Sequence, residues 1–224
     1  SEINGVESIT YEITEMSEDG NTMTLDISIG SGYWRCVLQK SGTDNGGGNN
    51  GGGNNGGGSA SPFEGSWSVA PQAGAVGVGP ELGDLSWWGN SEEDVTTRGC
   101  FFDDTYVFGA DGSFTHNMGD ATWLEKWQGA AEDGCGTPVY PQDGSDDTYT
   151  YSYDEGAQTI TLNGVGAHVG ISKVYNDGEF TSPSEINGVE SITYEITEMS
   201  EDGNTVTLDI SIGSGYWRCV LVKN

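Results

Sequence analysis

Residues 1–40, SEINGVESITYEITEMSEDGNTMTLDISIGSGYWRCVLQK, return as residues 184–223 with only two changes: Met23 becomes Val206, and Gln39 becomes Val222. The offset is 183 residues throughout. Within the stretch, Ile9, Tyr11 and Ile13 alternate with Thr10, Glu12 and Thr14. After the turn residues Asp19-Gly20-Asn21, Met23, Leu25, Ile27 and Ile29 alternate with Thr24, Asp26 and Ser28. Gly30-Ser31-Gly32 then leads into Tyr33-Trp34-Arg35-Cys36-Val37-Leu38. Alternation with period two, broken by Gly and Asp, is the signal of strands joined by tight turns. The stretch reads as a three-stranded meander with one apolar face, and both changes between the copies are mild.

Two copies this close belong to neighbouring units of a tandem array, and a unit of this length is a whole domain rather than a solenoid turn. The chain therefore divides into three parts. Residues 1–40 are the closing segment of a preceding repeat, or a donated β segment. Residues 41–61 are a linker. Residues 62–224 are a complete domain that ends in the second copy. The chain opens on Ser1 with neither Met nor a signal segment and is expected to be a mature or excised piece. Three strands bury too little to stand alone. The second copy packs on the body before it. The first copy needs other cover, and its apolar residues Ile9, Tyr11, Ile13, Leu25, Ile27, Ile29, Trp34 and Leu38 form the expected assembly surface.

Composition narrows the function classes. The 224 residues carry a net charge of −28 with seven Lys and Arg against 35 Asp and Glu. Such a chain does not suit nucleic acid or anionic membranes, which need cations. No apolar run reaches the length of a membrane-spanning helix, so membrane insertion is not expected. Residues 41–61 are dominated by Gly and Asn and read as a flexible tether, spanning roughly 25 Å as a coil and about 70 Å when straight.

In the body, Trp67 lies on a first strand, and a Gly-rich excursion over residues 71–100 holds Trp87-Trp88 at its middle. Asn90 or Ser91 is placed to cap a short helix through Glu92-Glu93-Asp94. Thr105–Phe108 and Ser113–Thr115 flank Gly109-Ala110-Asp111-Gly112 as a hairpin. Asp120 is placed to cap a second short helix carrying Trp123, Leu124 and Trp127, ended by Gly129. A second hairpin spans residues 148–162, and Val169–Val174 reads as a further strand. Eight or nine short strands and two short helices indicate an all-β antiparallel barrel or sandwich.

Four cysteines are present, and Cys36 and Cys219 occupy the same repeat position. Cys100 and Cys135, both in Gly-flanked irregular sequence, are the expected disulfide of an extracellular or cell-surface protein. Cys219, between Trp217 and Leu221 in the alternation, reads as a buried free thiol.

The run Cys100-Phe101-Phe102-Asp103-Asp104-Thr105-Tyr106-Val107-Phe108, followed by Ala110-Asp111-Gly112-Ser113-Phe114, has Gly65-Ser66-Trp67 before it and the three-strand segment after it. Together they resemble the non-catalytic modules of secreted Bacteroidota proteins, which occur beside laminarinase- and agarase-type glycoside hydrolases. The resemblance implies a lipocalin-like β domain, with a jelly roll as the alternative, and lends no catalytic residue.

The residues themselves point away from catalysis. His116 and His168 lack metal-type spacing, no nucleophile elbow occurs, and no carboxylate pair is placed across a cleft. The preferred expectation is a structural repeat unit that assembles head to tail with copies of itself. The alternative is a carbohydrate-binding module for a β-glucan or algal polysaccharide, with Trp87 and Trp88 stacking on sugar faces. Asp143, Asp146 and Asp147 offer hard oxygens in one loop, so calcium is the one cofactor the sequence admits.

Overall fold

The computed structural model describes residues 61–224 and, within residues 1–60, the backbone of strands Glu12–Met16, Thr22–Ser28 and Tyr33–Gln39. The chain forms two units, Ser1–Ser59 and Ala60–Asn224.

Eight strands organise the larger unit. They are β1 (Gly65–Val69), β2 (Thr105–Phe108), β3 (Phe114–Asn117) and β4 (Thr150–Asp154). They continue as β5 (Thr159–Asn163), β6 (Ser191–Met199), β7 (Thr205–Ser211) and β8 (Tyr216–Lys223). Apart from β3 and β4, each pairs antiparallel with the next in chain order, and β8 returns to β1 through Leu221 opposite Val69 and Lys223 opposite Trp67. The join between β3 and β4 is narrow. It consists of a bridge between Ser113 and Thr150, with the Phe114 N–H donating to Tyr149 O at 2.9 Å and the Tyr151 N–H to Gly112 O at 2.8 Å. The result is a nearly closed up-and-down barrel, not the Greek-key crossing of a jelly roll.

The alternation in the sequence fills this barrel. Side chains two apart point to one face, so Trp67 and Val69, Tyr106 and Phe108, Ile160 and Leu162, and Cys219 and Leu221 all enter the core. Phe108 is central to it, with ring centroids 5.6 Å from Phe63, 5.1 Å from Phe114 and 5.0 Å from Tyr151. Two of the cavities that reach this core measure ≈20 and ≈10 Å³, each with room for a single water at most. Side chains therefore fill the barrel, as in the smallest closed barrels.

The Gly-rich excursion begins as an interruption of β1. Ala70 donates to Val220 O and Val220 donates to Ala75 O, each at 2.8 Å, after which Val76–Gly79 continues along β8 from Cys219 to Tyr216. Residues 71–74 are looped out between two halves of one edge. Val76–Gly79 also pairs with the two-residue strand Trp88–Gly89, which brings Trp88 over the start of β8. Next comes helix α1 (Glu92–Thr97), capped by Ser91, whose Oγ accepts the Asp94 N–H at 3.1 Å while Asp94 accepts the Ser91 N–H at 2.8 Å. This reciprocal capping box, with three acidic residues in the first turn, suits the helix dipole.

The other expected helix is not formed. Thr122–Leu124 is a short strand paired with Gly134–Gly136, and Lys126–Gln128 is a single 3₁₀ turn ended at Gly129 with φ 92°. Trp123, Leu124 and Trp127 have helical spacing, but no run of helix formers supports it, and pairing with the Cys135 strand wins. The second helix is instead α2 (Gly99–Phe102), which seats Phe101 and Phe102 in the core. Val169–Val174 is also not a strand over most of its length. Its buried amides are taken by side chains: Val169 N–H donates to Tyr194 Oη at 3.0 Å, and Gly170 N–H to Tyr106 Oη at 3.1 Å. Gly170 has φ +71°, and a Cβ there would stand 2.9 Å from Cys219 Sγ, so the segment can plug the barrel only with glycine at this point.

The smaller unit contains the first copy. Its three strands keep the register of β6–β8. Ile13 stands opposite Leu25 as Ile196 does Leu208, and Ile27 opposite Trp34 as Ile210 does Trp217. Both copies shift register at the same place, between Ile13 and Glu15 and between Ile196 and Glu198. Ile9, Tyr11, Ile29 and the linker up to residue 60 lie outside the described residues. Strands with backbone description contain Ile13, Leu25, Ile27, Trp34 and Leu38.

Candidate functional site

Two neighbouring features share Glu125 and Ile171 in their walls. The outer one is a cavity of ≈260 Å³ lined by Val78, Trp88, Arg98, Glu125, Ile171, Lys173 and Trp217. Four separate folding events build it. The ribbon of Val76–Gly79 with Trp88–Gly89 sets the Trp88 ring 6.0 Å from that of Trp217, tilted by 52°. Arg98 joins α1 to α2 and lies between two indoles, its Cζ 5.0 Å from the Trp88 centroid and 4.4 Å from that of Trp123. The Cys100–Cys135 disulfide links α2 to the short sheet that carries Trp123. On the other side, Lys173 Nζ stands 4.9 Å over the Trp217 ring and 3.3 Å from Glu179, which accepts the Trp217 indole N–H at 2.7 Å. Stacking of cations on indole faces is favourable and holds both charges at the rim.

The inner feature is a buried polar cluster. Asp104, His116 and His168 are each under 5 % exposed. Thr122 Oγ1 donates to Asp104 Oδ2 at 2.6 Å, while Asp104 Oδ1 has no partner among the described residues. His116 packs on Tyr106 at 4.4 Å and on His168 at 4.8 Å between ring centroids, and neither of its nitrogens is hydrogen-bonded among the described residues. Its Nε2 stands 3.7 Å from Asp104 Oδ2, too far for a hydrogen bond. Asp104, His168 and Gln142 line the ≈20 Å³ cavity, which shares Glu125 and Ile171 with the outer one. Burial governs protonation here: it pushes the Asp104 carboxyl up to about 7 and holds both imidazoles down at about 3, so neutral forms are favoured.

This cluster makes stability pH-dependent. The folded-state values of His116 and His168 lie below their ordinary 6.5. The stability they confer is present above pH 6.5 and is lost as pH falls toward 3, because the unfolded chain takes up those protons first. Asp104 works the other way, since its value is raised from 3.8 to about 7, and its contribution fades as pH rises between those values. Two imidazoles outweigh one carboxyl. The cluster's net effect is therefore a loss of stability on acidification from pH 6.5 to 4. Other carboxylates titrate in the same range, so the expected result is a difference between proteins. A His116→Phe, His168→Phe chain should lose less urea stability than the parent between pH 7 and pH 4. Parallel curves would show that the imidazoles do not bear the cost.

The residues singled out from the sequence fall in several places. Trp87 is 53 % exposed, whereas Trp88 is packed against the core and on the cavity wall. The two indoles thus do not form one platform. Asp143 Oδ1 accepts from Ser145 N–H and Oγ, and Asp146 Oδ1 accepts from Thr148 N–H and Oγ1, so both caps serve their own turns. Among the described residues no group of three His, Cys, Asp or Glu converges as a metal site. The Cys100–Cys135 disulfide is formed, and Cys219 is a buried free thiol whose burial raises it to about 12. Arg98, Lys173 and Trp217 were not singled out as site residues, because each sits on a different element and no local spacing joins them. His116 left a faint signal, since it follows Phe114 at an inward position of β3.

No helix among the described residues is long and apolar enough to cross a membrane. No family model matches the chain, and no curated protein matches it significantly.

Proposed function

We propose that the chain is a structural repeat unit of an extracellular array in which a three-strand segment closes a five-strand body. One observation carries this reading. The first copy keeps the register and the bulge of β6–β8, the three strands that complete the barrel between β5 and β1. In the second copy, the counterparts of all eight assembly residues are buried: Ile192, Tyr194, Ile196, Leu208, Ile210, Ile212, Trp217 and Leu221. The same sequence in the first copy has the same face to cover.

Stoichiometry shapes the assembly. The 224 residues hold one body, β1–β5, and two segments. Swapping one segment for the other therefore changes little burial, and the second copy holds the local site through effective concentration. The first copy is the one left uncovered, and it closes the body of an adjoining unit by exchange with that unit's own segment. A head-to-tail contact of this kind propagates without closing. The expected result is that residues 1–224 self-associate, while residues 62–224 alone are monomeric. Ile27→Asp with Ile29→Asp should leave the barrel intact and stop the association. Light scattering on the three chains tests this, and a monomeric full chain, or equal association of the shortened one, removes the proposal.

A further inference from the structure

We propose that the cavity between Trp88, Trp217, Arg98 and Lys173 is a binding site for a sugar ring bearing an anionic substituent, a carboxylate or a sulfate. This goes beyond the assembly role and does not depend on it. The cavity volume of ≈260 Å³ lies just below the usual ligand range of about 300–1,000 Å³, which suits one ring rather than an extended chain. Its walls divide by chemistry. Val78, Ile171 and the two indoles supply the apolar side. The 52° tilt between the indoles makes a corner, which fits the puckered apolar face of a pyranose better than a flat aromatic that needs a parallel slot.

The charged side is the more telling. The chain has a net charge of −28 and only seven Lys and Arg, yet two of them line this one cavity. The field of the whole molecule repels anions, so cations gathered here serve a local purpose. Arg98 is held by stacking, and its side chain makes no hydrogen bond among the described residues. Its nearest carboxylate, Asp94, is 3.6 Å from Nε. A guanidinium has five donors in a fixed fork that matches a carboxylate or sulfate. Lys173 adds a second charge from the opposite wall, shared with Glu179 at 3.3 Å. Glu125 is the one carboxylate on the lining, and its Oε2 accepts the Trp127 indole N–H at 3.0 Å. In the proposed complex a ring hydroxyl donates to this carboxylate. The anionic substituent therefore faces Arg98 and Lys173, and a hydroxyl faces Glu125.

The test is tryptophan fluorescence titration of the full chain with glucuronate oligomers, sulfated galactose oligomers, and neutral glucose and galactose oligomers of equal length. At least one anionic set should bind at millimolar concentration or tighter, and at least tenfold tighter than its neutral counterpart. Which set binds identifies the substituent. Arg98→Gln and Lys173→Gln should each weaken binding at least tenfold, and so should Trp88→Leu, whereas Trp87→Ala should leave it unchanged. Melting curves of the Gln variants distinguish lost binding from lost fold, and Lys173→Gln serves if Arg98→Gln unfolds. Binding of neither anionic set, equal binding of neutral sugars, or undiminished binding by a folded Gln variant overturns the proposal.

Discussion

Residues 62–183 expressed without the closing three strands should fail to fold, and residues 1–40 added as a separate polypeptide should restore the barrel. Removing β6–β8 exposes both the β5 edge and the β1 edge. It also strips the core of Tyr194, Val206, Leu208, Ile210, Cys219 and Leu221, none more than 5 % exposed. At about 1.5–3 kcal/mol for each large side chain, the loss is as large as the roughly 5–15 kcal/mol by which a domain is stable. The first copy offers the same strands in the same register, so pairing and burial return together. It should do so less well than residues 184–223, because Met23 would occupy the fully buried place of Val206, and overpacking costs about 1–3 kcal/mol. Near-ultraviolet circular dichroism on mixing, with a titration to one-to-one, reads both effects. A 62–183 chain that folds alone, or one that residues 1–40 cannot rescue, contradicts barrel completion.

The second large effect is expected at Arg218. Asp209 on β7 is fully buried on the outer side of the barrel wall. It accepts Arg218 Nε at 3.0 Å and Nη2 at 2.9 Å, and it also accepts the Thr197 hydroxyl. The pair lies directly across β7 and β8, and the carboxylate beside it holds the guanidinium above its ordinary value. Arg218→Met leaves a buried carboxylate with one hydroxyl for company and should cost about 3–5 kcal/mol, whereas Arg218→Met with Asp209→Leu should recover most of it, because paired burial itself contributes little. Urea midpoints of the two variants decide the matter. A loss below about 1 kcal/mol in the single variant would mean that water reaches Asp209. Asp26 and Arg35 stand opposite each other in the first copy, so the same pair is available wherever that segment closes a barrel.

Much of the barrel was legible because its physics is local. Alternation in residues 191–199, 205–211 and 216–223 set which side chains face inward, and Asp-Gly turns set where strands reverse. The same alternation placed Cys219 inside, and the flanking glycines marked Cys100 and Cys135 as a pair in irregular chain. The failures were also physical. Trp123, Leu124 and Trp127 have helical spacing, but only the disulfide and the Gly134–Gly136 partner reveal that the backbone is extended there. Val169–Val174 has the apolar content of a strand, but its amides are satisfied by Tyr106 and Tyr194 hydroxyls from distant strands.

The sequence by itself determined the all-β class, the meander and the repetition of one segment, because these depend on patterns a few residues long and on a repeat that can be counted. Only the tertiary structure decided the closure of β8 on β1, the burial of Asp104, His116 and His168 together, and the meeting of Trp88, Arg98, Lys173 and Trp217. Those contacts join residues up to 156 positions apart in the chain, Trp67 and Lys223, and no local propensity encodes a contact that only the closed barrel creates.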